Sequence, residues 1–298
     1  MNCSGAAGAT DRMAYRDLKL EQELLRNGLD PQASKAIFDD LTAYLGKRIE
    51  TIAEEYWRYH EGEDLIARQR VGDAKDAGTV LAYYAATPHY LYELSYWEAS
   101  RDKQAWFRVV SMACKKYQLT HVLDFGGGVG GLCDYLSRRG IRSDYVDVAG
   151  KTFDYAAWRF KRRQLSVTMF DAGSQRPAGS YDGVFAWDVL EHIFDLDEMI
   201  RGVASLLRPK GWFITKSTFA TTGSPHEAIH LAQHACYADV AVLNELMSVC
   251  GFTYRGQLKP DRLSRLMRVC GLRYAVAGIR IAPRLKHGGN FLVHERAA

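Results

Sequence analysis

With 298 residues, 47% hydrophobic and 25% charged, the chain can fill one large domain, or a core domain with a smaller partner, in the ordinary balance of a globular protein. No apolar run approaches the roughly 20 residues that span a bilayer. The net charge of +4 is uneven: Arg255 to Ala298 hold ten Lys/Arg against Asp261 and Glu295, a balance of +8 that leaves −4 on residues 1–254 and suits an anionic partner at the basic end.

The opening MNCSGAAGATDRMAYRD lacks the basic start and apolar core of a signal peptide and reads as a short frayed tail. Six scattered cysteines (Cys3, Cys114, Cys133, Cys236, Cys250, Cys270) form no C-x-x-C pair. Without a secretion signal this points to reduced, mostly buried thiols in a cytoplasm.

Up to about residue 117 the pattern is helical. Asp30-Pro31 and Thr87-Pro88 each set a capping residue before a proline at the first helical position. Ile37, Phe38, Leu41, Tyr44 and Leu45 recur at helical spacing, and Gly46 offers a stop. After Pro88 an aromatic-rich segment carries Tyr90, Tyr92, Tyr96, Trp97, Trp106 and Phe107. It reads either as a helical pair packed on the next domain or as a lid over a planar or cationic ligand. From His121 the texture changes to THVLDF, RSDYVD, SVTMFD, YDGVFAW and GWFITK, separated by segments long enough for crossover helices. This is the βαβα signature of a doubly wound parallel sheet, with a boundary near residue 118. In the tail, LMSVCGFTY (246–254) and LMRVCGLRY (266–274) repeat a helix end, a glycine stop and a strand start. Two units predict an extra helix between the last two strands.

LDFGGGVGG (123–131) leaves a strand and opens a helix. It satisfies G-x-G-x-x-G through Gly126, Gly128 and Gly131, and equally D-x-G-x-G-x-G through Asp124, Gly126, Gly128 and Gly130. Charge separates the two ligands. A dinucleotide would bring its pyrophosphate to the helix start, where an acidic strand end repels it. S-adenosyl-L-methionine (SAM) carries an ammonium and a sulfonium, and Asp124 favours both. Asp147 ends the second strand, where a carboxylate can accept ribose hydroxyls. Asp171 ends the third, where an acidic side chain can meet an adenine amino group.

With the run Val189-Leu190-Glu191-His192-Ile193 after the fourth strand, residues 119–220 resemble a class I SAM-dependent methyltransferase of the group that methylates small molecules. The resemblance implies an α/β fold with a doubly wound, mostly parallel seven-stranded sheet. It also implies cofactor contacts at Asp124, Gly126, Gly128, Gly130, Asp147 and Asp171, with Phe125, Val148, Ala172 and Trp187 as neighbours. S-adenosyl-L-homocysteine would be the product. A helical unit over 1–118 (a lid, substrate or dimerisation element) and a basic helical insertion near 259–272 within the 119–298 domain fall outside it.

HEAIHLAQH (226–234) spells H-E-x-x-H, the helical zinc-protease signature. Ser224-Pro225-His226-Glu227 explains it otherwise: S-x-x-E is a capping box that accounts for Glu227. His226, His230 and His234 would share one helical face. That leaves open a divalent metal, though none is assigned. The preferred reading makes a histidine the general base, His230 first, then His226 and His192.

DRLSRLMRVC (261–270) sets Arg262, Arg265 and Arg268 along one side and Leu263, Leu266 and Met267 along the other. A solvated face, an anionic substrate, an acidic carrier protein and RNA all fit. No RNA-binding module or dense basic–aromatic surface is visible. A small-molecule acceptor, as in secondary metabolism, methylated on oxygen or nitrogen is therefore expected, with no membrane partner. A homodimer, a nucleic-acid methyltransferase and a non-catalytic SAM-fold protein stay open.

Overall fold

The computed structural model describes residues 28–58, 74–219, 230–259 and 290–297. Asp30 caps α1 (Pro31–Leu45) by accepting from the N–H groups of Gln32 and Ala33, and Gly46 closes it at φ 63°. Helix α2 (Ile49–Arg58) follows. The second capping pair differs from its sequence reading. Thr87 closes α3 (Ala77–Ala86), its hydroxyl donating to the Tyr83 carbonyl at 2.6 Å. Pro88 then takes the cap position of α4 (His89–Glu98) without a side-chain bond, because the threonine hydroxyl serves the helix behind it. Ser100 caps α5 (Arg101–Tyr117) by accepting from the Lys103 N–H.

Five strands run parallel: β1 (His121–Phe125), β2 (Arg142–Asp147), β3 (Met169–Asp171), β4 (Tyr181–Trp187) and β5 (Leu207–Lys216). With β6 (Phe252–Leu258) and β7 (Phe291–Arg296) they form one seven-stranded sheet in the order β3-β2-β1-β4-β5-β7-β6, in which β7 is antiparallel to both neighbours. Helices α6 (Gly131–Ser137), α7 (Lys151–Arg162), α8 (Leu196–Leu206) and α9 (Val240–Val249) connect them. Alternation along the strands feeds two cores. Leu123, Val146 and Val184 pack with Ile200 and Val203 of α8 and Met247 of α9 on one face. Val122, Phe185 and Ile214 pack with Trp106, Phe107 and Val110 of α5 and Leu136 of α6 on the other. The doubly wound expectation is therefore met. Helix α5 ends just before the texture change near residue 118 and shares its core with the sheet.

The first tail repeat behaves as read: α9 ends at Val249, Gly251 takes φ 90°, and β6 begins at Phe252. The second repeat, the basic segment with Arg262, Arg265 and Arg268, and the expected frayed tail lie outside the described residues. Among the described residues no helix is long and apolar enough to cross a membrane.

A buried charge cluster ties the helical segment to the sheet. Arg159 on α7 is 1% exposed and donates to both oxygens of Glu98, at the end of α4, at 2.6 and 2.7 Å. It also donates to the Val129 carbonyl at 3.1 Å. Asp40 of α1 lies 3.5 Å away and Asp134 of α6 3.8 Å away, and Arg163 pairs with both. The acidic neighbours hold the guanidinium's pKa above its ordinary value despite the opposing effect of burial. Glu98→Ala or Arg159→Met should each lower the unfolding free energy by about 3–5 kcal/mol, because the surviving charge stays buried and uncompensated. Urea unfolding measures this, and the double variant Glu98→Leu/Arg159→Met should lose less than the two single losses summed.

Candidate active site

Parallel strands end on one side, so the sequence-selected residues meet there. Asp147 pairs in register with Asp171, Phe125 with Val146 and Ala186, and Trp187 with Lys216. The glycine loop turns at the end of β1, where the Gly126 and Gly127 N–H groups donate to the Val146 carbonyl. Gly126 and Gly128 take φ 73° and 54°, a left-handed backbone that disfavours side chains. A Cβ would also collide with the protein itself: with Val189 Cγ2 at 2.3 Å for Gly126, Leu94 Cδ1 at 2.9 Å for Gly128 and Phe160 Cζ at 2.5 Å for Gly130. Packing against Val189, α4 and α7 therefore requires glycine at these positions whatever ligand the loop meets.

Asp147 braces the loop. Its carboxylate accepts from the Gly128 N–H at 2.6 Å and the Val148 N–H at 2.7 Å. Burial pushes it up to about 6, against the opposing pull of those donors. Asp124 is 4% exposed, with the weak Cys133 thiol donor at 3.7 Å. Burial pushes its carboxyl up to about 7, partly offset by Lys103. Two water-starved carboxylates beside a glycine loop fit a cationic ligand such as SAM and oppose a pyrophosphate.

Asp171 is committed locally. It accepts from the N–H groups of Ala149 and Gly173 and from the Ser174 hydroxyl, which with the Gly173 donor holds it below the ordinary carboxylate range. Phe125 and Val148 are half-buried and Ala172 is exposed, its N–H on the Asp147 carbonyl. Trp187 is buried among Trp97, Trp106, Phe107 and Phe291, so most of the aromatic segment is core.

The histidines regroup. His226 and Glu227 lie outside the described residues, as does the proposed capping box. His230 stands in a bend before a 3-10 turn (Ala232–Ala238), so it shares no α-helical face with His234. The His234 Nε2–H donates to the Ile193 carbonyl at 2.6 Å, which commits that ring to holding a turn. His230 instead meets His192, ring centroids 4.9 Å apart. The carboxylate of Glu191 joins them, and one ligand atom from each lies within 4.8 Å of the others. Burial, then Asp188, raise the Glu191 carboxyl. This trio, rather than three helical histidines, could hold a divalent cation.

Sequence reasoning missed three neighbours. Tyr84 of α3 sits with its hydroxyl 2.8 Å from His192 Nδ1. Lys216 ends β5, 3.6 Å from Asp188. Lys103 of α5 lies over the Trp97 and Trp187 rings. Only Lys216 left a legible signal, a charge closing an apolar strand. The others reach the site through tertiary packing.

Comparison with known proteins gives the family. A family described as "Methyltransferase domain" matches residues 81–256, more than half of the chain, and its match begins within α3. The chain is 30% identical over 170 residues to a ubiquinone biosynthesis O-methyltransferase of Chromobacterium violaceum, covering 55% of this chain and 67% of that protein. It is 35% identical over 114 residues to the trichosetin synthetase PKS-NRPS1 of Gibberella fujikuroi, covering 35% of this chain but 3% of that synthetase. The 1,6-didemethyltoxoflavin-N1-methyltransferase of Burkholderia thailandensis, solved with S-adenosylhomocysteine, superposes with a TM-score of 0.45 at 17% identity over 65% of this chain and 79% of that one. With its family match spanning most of the parallel sheet, the chain belongs to the methyltransferase-domain family and is a class I SAM-dependent methyltransferase.

Proposed function

We propose that the chain transfers the SAM methyl group to an oxygen or nitrogen of a small-molecule acceptor, with His192 taking the acceptor's proton and S-adenosyl-L-homocysteine as product. The carrying observation is the Tyr84–His192 contact at the carboxyl edge of the sheet. Bound SAM supplies a methyl group on a sulfonium, a good leaving group. The chain's residues are left with alignment, water exclusion and proton removal.

Burial holds the Tyr84 hydroxyl protonated. In the tautomer this role requires, His192 Nδ1–H donates to the Tyr84 oxygen at 2.8 Å, which leaves Nε2 as the acceptor of the substrate proton. His230, the first choice on sequence, is buried at 5% exposure and braces the His192 ring, whereas His192 keeps access to the edge. Asp124 favours the cofactor's cationic end, and Asp147 its ribose. The named activity of the Chromobacterium relative supports a small acceptor, and the synthetase relative supports a carrier-tethered one. The Glu191–His192–His230 trio favours a second reading, in which a divalent cation orients the acceptor oxygen.

Calorimetric titration with SAM should give binding that Asp147→Ala weakens at least tenfold. Because burial pushes Asp124 up to about 7, protonation below that value removes negative charge facing the ligand's cations. In Lys103→Arg, whose cation does not titrate in this range, affinity should therefore fall from pH 7.5 to 5.5 by up to about tenfold per unit, and flat affinity in that variant would refute the role of Asp124.

His192→Gln should lower kcat by about 10²–10⁴-fold while leaving SAM affinity intact. Tyr84→Phe should cost less and shift the pH profile. Dialysis against a chelator separates the readings: unchanged activity supports the base, and loss restored by added cation supports the metal.

A further inference from the structure

The chain leaves β4 through a tight turn between buried anchors. Trp187, the last residue of the strand, is buried, and so are Leu190 and Glu191 just beyond it. Asp188 supplies the turn with φ 54°, the left-handed region that side chains ordinarily avoid. Glycine takes that backbone freely, and among side chains aspartate and asparagine tolerate it best.

The turn is held from both ends. The Asp188 N–H donates to the Lys216 carbonyl at 2.6 Å, and the buried Lys216 ammonium lies 3.6 Å from the Asp188 carboxylate. Further on, Glu191 accepts from the Thr218 N–H at 3.0 Å, and the Leu231 N–H donates to the Glu191 carbonyl at 3.1 Å. A strained residue persists only where its surroundings over-determine it, and such residues gather at active sites.

What the turn delivers shows its use. Val189 lies against the cofactor loop, since it is the residue that a Cβ on Gly126 would strike. His192 closes the 3-10 turn (Leu190–His192), its N–H donating to the Val189 carbonyl at 2.9 Å and its ring meeting Tyr84 and His230. One strained residue therefore sets the cofactor loop and the proton acceptor relative to one another. We infer that Asp188 is a positioning residue: its left-handed backbone aims His192, and its carboxylate anchors that backbone to the end of β5. In-line transfer depends on such alignment, because a displacement of about 1 Å can cost about a hundredfold in rate. The inference rests on His192 as the base proposed above.

The test is nuclear magnetic resonance of the full chain carrying ¹⁵N-labelled histidine, at about pH 8, above the ordinary histidine range. The His192 signals are those missing from His192→Gln. A ring fixed in one tautomer shows two well-separated nitrogen signals, and a ring that loses its orientation shows them converged. Wild type should show His192 fixed with its proton on Nδ1. Asp188→Ala should make the signals converge, whereas Asp188→Asn should keep them as in wild type. Both substitutions remove the charge, so their difference reads the backbone alone. Asp188→Ala/Lys216→Met guards against misfolding, because it removes the buried ammonium with its partner, and it should behave like Asp188→Ala. Unchanged signals in the alanine variants overturn the inference, and so does an equal loss in alanine and asparagine. A wild-type ring fixed with its proton on Nε2 overturns the base reading instead, while the alanine–asparagine contrast still decides whether Asp188 positions the ring.

Discussion

The bidentate pair between Arg159 and Glu98 sets the geometry on which the rest of the site depends. Glu98 closes α4, Arg159 lies inside α7, and the guanidinium also takes the carbonyl of Val129 within the glycine loop. The position of Gly131 follows from it, since a Cβ there would meet Glu98 Cδ at 2.5 Å. Two residues past Glu98, Ser100 caps α5 by accepting from the Lys103 N–H. Burying such charges is costly, and a hydrophobic substitute could match it in stability. What the ion pair adds is direction: a planar fork accepts one approach, and α4 is held over the loop in that approach.

The second organising feature is the distribution of charge at the carboxyl edge. Asp124, Asp147, Asp188 and Glu191 gather there against Lys103 and Lys216, with the indoles of Trp97 and Trp187 between them. Asp124 and Asp147 lack enough donors to stay fully ionised near neutrality. A site whose buried acids are short of cations is prepared for a cationic ligand. The field comes from tertiary convergence, because its members derive from α5, β1, β2, β4 and β5.

The histidine motif shows how a local pattern misleads. H-E-x-x-H assumes a continuous α-helix, on which positions four apart face one way. His230 instead stands in a bend, and its neighbours enter a 3-10 turn pinned by the His234 bond to Ile193. Freed from that face, His230 turns to His192, whose other partner, Tyr84, comes from a helix more than a hundred residues earlier. The Thr87-Pro88 pair failed for a related reason: one hydroxyl could cap only one of two adjacent helices.

The amino-acid sequence by itself determined the alternating strands and helices, the glycine loop, and the acidic residues at the ends of β1, β2 and β3. Each depends on short-range physics: periodicity, backbone freedom at glycine, and charge next to a turn. From these the doubly wound sheet and the cofactor's cationic character were legible. Tertiary structure alone decided that α5 joins the sheet's core, that Arg159 and Glu98 meet, that Asp171 spends its oxygens on Ala149, Gly173 and Ser174, and that Tyr84, His192 and Lys103 reach one edge. Those contacts link segments far apart in the chain. No spacing rule encodes them, because they are selected by burial and charge pairing after the chain has collapsed.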